Sequence, residues 1–320
     1  MTGGDDVVVV ERLEKIYREG FPRRIETAAL TDVSFSVPRG SIFGLLGPNG
    51  AGKSTTIHLL LGFIAPTSGT IRVFGQPPSS PLSRRSLGFL PEIFAFDRFA
   101  TGRGLLERFD ALGGGDAAGR RERVDEALHL VGLAEHGGRK IGTYSKGMAQ
   151  RIGLGQALLG HVELLILDEP MSGMDPANRR SVKQLLAARR NHGLTTLLSS
   201  HILSDVEELA DHVVILKRGM IAANAALSEL RRGTAAMRVV FGIVEGVTDA
   251  ASAAALGSPS AAQGEAGFHA VSCADDELNV LLAKLVAARA RIVSVNPVQG
   301  DLESLFLELT GPERPAEASA

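Results

Sequence analysis

Over the first 220 or so positions, apolar residues come in short runs closed by polar or turn residues: VVVVERL from Val7, LTDVSFSV from Leu30, SIFGLLG from Ser41, LLILDEP from Leu164, TTLLSSH from Thr195 and HVVILKRG from His212. Such runs predict strands. Helical periodicity stands between several of them, as in STTIHLLLGF from Ser54. Strand then helix, repeated, predicts an α/β fold with a parallel sheet covered by helices. From about Thr101 to Gly160 the strand runs stop, and helical segments with Gly-rich joints such as GGGD predict a helical subdomain over about 95–160.

The texture changes after Asn224. AMRVVFGI at 236–243, FHAVS at 268–272 and RIVSVNPV at 291–298 read as strands. DDELNVLLAKLVAARA and DLESLFLELTG read as helices, the first with an acidic opening turn and the second ending at Gly311. An Ala/Ser/Gly loop fills about 249–267. The expected division is therefore a larger domain over 7–224, a small α+β accessory domain over 225–311 and a frayed tail over 312–320.

Composition narrows this little. The chain has 320 residues, enough for two domains. Its 34 basic and 36 acidic residues nearly balance; positions before 225 hold 27 and 24, and those from 225 on hold 7 and 12. Neither part presents the basic surface that a polyanion needs, so no nucleic-acid partner is expected. One cysteine, Cys273, excludes an intrachain disulfide and a cysteine zinc site and fits a cytosolic setting. The start MTGGDD has no secretory pattern, and no run approaches the roughly 20 apolar residues of a membrane span.

The chemistry sits where runs end. Gly47, Pro48, Asn49, Gly50, Ala51, Gly52, Lys53 and Ser54, followed by Thr55, fit G-x-x-x-x-G-K-[ST] between a strand and a helix, the setting of a phosphate loop. Glycines let successive amides approach phosphate oxygens, and the helix N-terminus adds its positive end. Lys53 is expected to reach the β- and γ-phosphates of ATP, and the Ser54 hydroxyl to ligate Mg²⁺. LLIL then delivers Asp168 to the same sheet edge as a metal-side carboxylate, with Glu169 next in line as general base for water. His201, closing TTLLSSH, is placed for a γ-phosphate contact.

With these residues assembled, the chain resembles the ATP-binding subunit of an ABC transporter. The discriminating segment is Tyr144-Ser145-Lys146-Gly147-Met148-Ala149-Gln150-Arg151, whose last residue stands 17 positions before Asp168. It resembles the LSGGQ signature: Ser145 and Gly147 match, while Tyr144, Lys146 and Met148 depart from it. By itself it also reads as a polar helix cap. The resemblance implies a P-loop NTPase of ABC type, with an antiparallel edge sheet beside the parallel core. It also implies that Ser145 and Gly147 bind the γ-phosphate held by a second subunit, giving a dimer, expected to be a homodimer, with two ATP molecules between chains.

Other positions carry over in the same way. Ser172-Gly173-Met174-Asp175 resembles the D-loop, whose aspartate, here Asp175, meets the opposing subunit. Tyr17 resembles the aromatic that stacks on adenine, and reads equally as a packing residue after a strand. Glu92, in LGFLPEIF, stands where the family has glutamine; the resemblance implies a coupling residue whose carboxylate is expected to approach Mg²⁺ or water. The resemblance covers about Val7 to Ala222, and DLESLFLELTG resembles the ending of a small C-terminal extension on exporter ATPases, which reads equally as an appendage without a regulatory task. It implies ATP-driven dimer closure acting on a separate transmembrane permease, peripheral location on the inner face of the membrane, export as the direction, and a docking surface in the helical region after Leu87. A soluble ABC-type ATPase serving nucleic acid or translation is the main rival, but the chain has no coiled-coil insertion or second ATPase domain. A GTPase would need N-K-x-D, which is absent. Intact Glu169 and His201 argue against a scaffold without turnover. The transported substrate is not written in this chain.

Overall fold

The computed structural model describes residues 5–20, 25–232, 236–242, 268–274, 277–287 and 290–298, with Leu302, Phe306 and Leu309 as single positions. They form two compact units. The first runs to Leu227 and includes Phe306 and Leu309; the second lies between Ser228 and Leu305.

In chain order the first unit contains β1 (Asp6–Glu19), β2 (Ile25–Pro38), β3 (Ile42–Leu46), α1 (Lys53–Leu60), β4 (Ser68–Val73), β5 (Leu87–Leu90), α2 (Gly102–Leu112), α3 (Arg120–Leu130) and α4 (Lys146–Ala157). Then follow β6 (Leu164–Leu167), α5 (Pro176–Asn191), β7 (Thr195–Ser200), α6 (Leu203–Leu209), β8 (His212–Lys217) and β9 (Met220–Ala226). The central sheet has the order β5-β6-β7-β3-β8-β9; every pair is parallel except β8 with β9. All residues of β3, β6 and β7 are buried, because elements cover both faces of the sheet. Parallel order brings the C-terminal ends of β5, β6, β7 and β3 to one edge, and the phosphate loop, Glu92, Asp168, Glu169 and His201 all follow strands there.

An antiparallel sheet, β2-β1-β4, shares one core with the central sheet and α1. Phe35 of β2 stacks on Phe43 of β3 with ring centroids 5.5 Å apart. Strand β1 is longer than the run VVVVERL suggests. Register shifts between Val10 and Lys15, with Arg12 at φ 47°, are bulges that break the alternation and let the strand continue to Glu19. Tyr17, expected after a strand, therefore lies inside one.

The helical subdomain comprises α2, α3 and α4, and its first helix starts at Gly102 behind the Thr101 cap, whose hydroxyl accepts from the Gly104 amide at 3.0 Å. Asp110 of α2 is 5% exposed and takes a fork from Arg123 of α3, at 2.6 and 2.8 Å, plus Arg120 at 3.1 Å. Removing the carboxylate takes three charge-assisted hydrogen bonds from two partly exposed guanidinium groups, which keep the Gly115 and Asp116 carbonyls as acceptors. Asp110→Ala should therefore lower stability by about 1–2 kcal/mol, read from the denaturant midpoint. The Arg123 guanidinium, with Arg120 behind it, holds the Asp110 carboxyl below the usual range against the opposing effect of burial. A depressed folded pKa means the contribution is complete at neutral pH and is lost as pH falls below about 4; wild type and variant should converge in acid.

Helix α7 (Leu227–Arg232) crosses the boundary, and the second unit contains β10 (Ala236–Gly242), β11 (Phe268–Ala274), α8 (Leu278–Ala287) and β12 (Arg291–Val298). The antiparallel order is β11-β10-β12, and Val239, Phe241, Leu281 and Leu285 make a core of its own. The loop expected at 249–267 and the tail at 312–320 lie outside the described residues, as does most of the helix expected at 301–311. No helix among the described residues is long and apolar enough to cross a membrane.

Candidate nucleotide site

Strand β3 ends at Leu46, the chain turns through residues 47–52, and α1 begins at Lys53. Gly47 has φ +155°, and a Cβ there would stand 2.5 Å from the Leu216 carbonyl oxygen, so no other residue lets the loop pass so close to β8. The N-cap of α1, Gly52, has no side-chain cap hydrogen bond, which leaves the first amides of the helix for a ligand. Lys53 folds back over the loop: its Nζ donates to the Gly47 carbonyl at 2.7 Å and lies 3.9 Å from Glu169 Oε1.

Asp168 follows β6, and its amide donates to the Leu90 carbonyl at 2.9 Å, one step past the last paired residues of β5 and β6. Ser199 of β7 joins the two acids: its hydroxyl donates to Asp168 Oδ1 at 2.5 Å and accepts from the Glu169 amide at 3.0 Å. Glu169 sits at φ 49°, uncommon for a residue with a side chain, and its Oε2 lies 2.7 Å from His201 Nδ1. Lys53, Asp168 and Glu169 are 7%, 6% and 7% exposed. At such burial charges must be matched, and here two carboxylates face one ammonium, with His201 half exposed beside them. Hard oxygen donors with a surplus negative charge, Ser54 and Asp168 among them, suit Mg²⁺.

These residues surround a cleft of about 480 Å³. Residues 47–55 line it together with Glu92, Asp168, Glu169, His201, Ala29 and Phe306. So the structure brings together the phosphate loop, Ser54, Thr55, both acids, Glu92 and the histidine. Ser199, Ala29 and Phe306 were not singled out from the sequence.

The remaining residues stand elsewhere in the chain. Tyr17 is on β1, opposite Thr27, with the Lys15 ammonium 5.2 Å from its ring centroid, and is not among the described lining residues. Ser145 caps α4, accepting from the Met148 amide at 3.2 Å. Asp175 caps α5 by accepting from the Asn178 amide at 2.9 Å. That backbone N–H, and then the Asn178 side-chain amide, hold the Asp175 carboxyl below its ordinary range. Gly147 presses against Asn178, whose Nδ2 would stand 2.6 Å from an added Cβ, and the Lys146 stem lies across Gly173. The signature-like segment and the 172–175 loop are thus packed against each other, and Ser145, Gly147 and Asp175 are not among the residues lining the chain's own cleft.

Comparison with known proteins agrees with this geometry. The family described as "ABC transporter" matches residues 30–172. An uncharacterized ABC transporter ATP-binding protein of Synechocystis sp. is 34% identical over 304 residues, covering 94% of this chain and 84% of the relative. The linearmycin resistance ATP-binding protein LnrL of Bacillus subtilis is 33% identical over 288 residues, covering 87% of this chain and 92% of that protein. A solved ATP-binding subunit of an ABC transporter superposes with TM-score 0.61 at 30% identity, over 71% of this chain and 92% of that one. Sheet order, phosphate loop and relatives lead to one assignment: this chain belongs to the ABC transporter ATP-binding proteins and is an ATPase of the α/β P-loop type.

Proposed function

We propose that two copies of this chain close face to face on two ATP molecules, and that closing and hydrolysis drive a separate transmembrane permease in export. The observation that carries the two-copy reading is the placement of Ser145, Gly147 and Asp175. They pack together without lining the cleft of their own chain, so completing a phosphate site with them takes a second copy.

Within one cleft, the amides of residues 47–55 and the Lys53 ammonium hold the triphosphate. Ser54 and Asp168 would hold Mg²⁺, which when bound offsets charge on the β- and γ-phosphate oxygens. Glu169 takes the proton of the attacking water. With a proton on Nδ1, His201 donates to Oε2 and keeps that carboxylate turned toward the γ-phosphate. Glu92 sits on the cleft wall as the residue that couples the site to the helical subdomain. Ser145 and Gly147 of the second copy bring a hydroxyl, open backbone and a helix N-terminus to the γ-phosphate. Tyr17 serves as the adenine-side aromatic in this reading, although it is not among the residues lining the cleft.

Between Glu92 and α2, Ile93 and Phe99 are 86% and 82% exposed. We assign this apolar stretch to the permease contact, which places the protein on the inner face of the membrane. Export rests on LnrL, a resistance ATP-binding protein whose match runs through both units. The domains at 7–224 and 225–311 follow the same assignment, the second as an accessory to the ATPase.

The test is the rate per chain against chain concentration at saturating ATP and Mg²⁺. Two-copy closure predicts a specific activity that rises with concentration and then levels off. A constant specific activity down to concentrations where light scattering shows only monomer would sink it.

A further inference from the structure

Strand β7 is buried throughout, yet it ends in two serines, where a parallel strand covered on both faces ordinarily carries Val, Ile or Leu. Their hydroxyls are turned to different tasks. Ser200 serves the turn toward α6, accepting from the Ile202 amide at 2.9 Å. Ser199 meets the two acids instead, because β6 and β7 pair up to Leu167 and Leu198, and the next residues along are Asp168 and Ser199. A serine hydroxyl has one proton to give, and here Asp168 Oδ1 takes it at 2.5 Å. Its oxygen accepts from the Glu169 amide at 3.0 Å. That amide belongs to a residue at φ 49°, a backbone state that persists only where its surroundings hold it. Glu169 is held at its amide by Ser199, at its carbonyl by the Ser172 amide at 3.1 Å and at its carboxylate by His201 at 2.7 Å.

We propose that Ser199 is a positioning residue for both acids at once: its proton fixes which way the Asp168 carboxylate turns, and its oxygen locks the backbone that carries Glu169. The inference rests on the proposed roles of Asp168 at Mg²⁺ and of Glu169 as the base. Ser199 is not among the residues lining the cleft, so its effect on the reaction passes through the two acids. Removing the hydroxyl lets one carboxylate rotate and leaves a buried amide without its acceptor. Partners of this kind carry roughly 10- to 100-fold in metal affinity or activity.

Ser199→Ala in the full-length protein, which removes one oxygen and adds no bulk, should lower kcat about 10- to 100-fold at saturating Mg²⁺ and raise the Mg²⁺ concentration for half-maximal turnover about 10-fold. Both proteins are compared below their melting transitions. ATP affinity in EDTA, by titration calorimetry, should stay within about 2-fold of wild type, since the loop amides and Lys53 are untouched. The extra affinity that Mg²⁺ brings to ATP should shrink in the same titrations. Added to Glu169→Gln, Ser199→Ala should cost less than about 3-fold at saturating Mg²⁺, because the base it positions is already gone. Undiminished kcat, an unmoved Mg²⁺ requirement or a fully additive loss in the Glu169→Gln background overturns the joint role. So does a loss of metal-free ATP affinity along with turnover, which marks a general disturbance of the fold. Wild-type turnover in Glu169→Gln, or ATP affinity of the wild-type protein indifferent to Mg²⁺, removes the roles of the acids and the inference with them.

Discussion

Glu169→Gln should slow ATP hydrolysis by at least about 100-fold while leaving ATP affinity within about 2-fold of wild type. The carboxylate is buried, backed by His201 at 2.7 Å on Oε2, and stands 3.9 Å from the Lys53 ammonium on Oε1. An amide of the same shape keeps the hydrogen bond and the packing but cannot take a proton from water. Binding therefore survives and the chemical step does not. With hydrolysis stopped, ATP-bound chains should accumulate as dimers, seen as an ATP-dependent doubling of mass in light scattering. Undiminished turnover would remove Glu169 as the base. A variant that stays monomeric at saturating ATP would remove the two-copy model of closure, with the role of Glu169 unaffected.

The second large effect is on binding. Lys53→Ala should weaken ATP affinity by about 100-fold, since the lost contact is a buried charge-assisted one, of the order of 2–5 kcal/mol on truncation. The ammonium also holds the loop, through the Gly47 carbonyl at 2.7 Å. Lys53→Met, which keeps most of the stem's bulk, separates the two causes. If both variants fold to the wild-type melting temperature and both lose affinity in titration calorimetry, the charge is responsible. Affinity within about 3-fold of wild type in Lys53→Met would show that the amides alone carry the triphosphate.

The parts of the site legible in the sequence were those where local pattern and chemistry coincide. SIFGLL followed by a glycine-rich turn and a helix fixes both the loop and the strand before it, and four apolar residues ahead of Asp168 fix β6. Ser199 was not legible, because a serine at a strand end has many uses, and only the parallel pairing of β6 with β7 sets it beside Asp168. Strand β9, read through MIAANAA, gives no strand signal since alanine and asparagine are poor strand formers; it exists because β8 offers an edge to pair with. The extension of β1 to Glu19 was hidden by bulges that scramble alternation. Phe306 could not have been found at all, since nothing local marks a residue whose neighbours lie at the opposite end of the chain. Ser145, Gly147 and Asp175 were legible by resemblance, and the structure gives their places without bringing them to a phosphate.

The hydrogen bond from the Asp168 amide to the Leu90 carbonyl ties β6 to β5 at the point where β5 ends and the backbone leaves for Glu92, Ile93 and Phe99. From Leu90 to Glu92 is two residues, so the slack between that bond and the cleft-lining Glu92 is no more than about 7 Å of extended chain. A grip on the apolar loop would work as a short lever with almost no play: tugging it by more than this reach has to strain the ladder or shift Asp168 itself. Mechanical work done at the outer surface and charge placement in the cleft would then be two ends of one stiff linkage, with little travel lost between them.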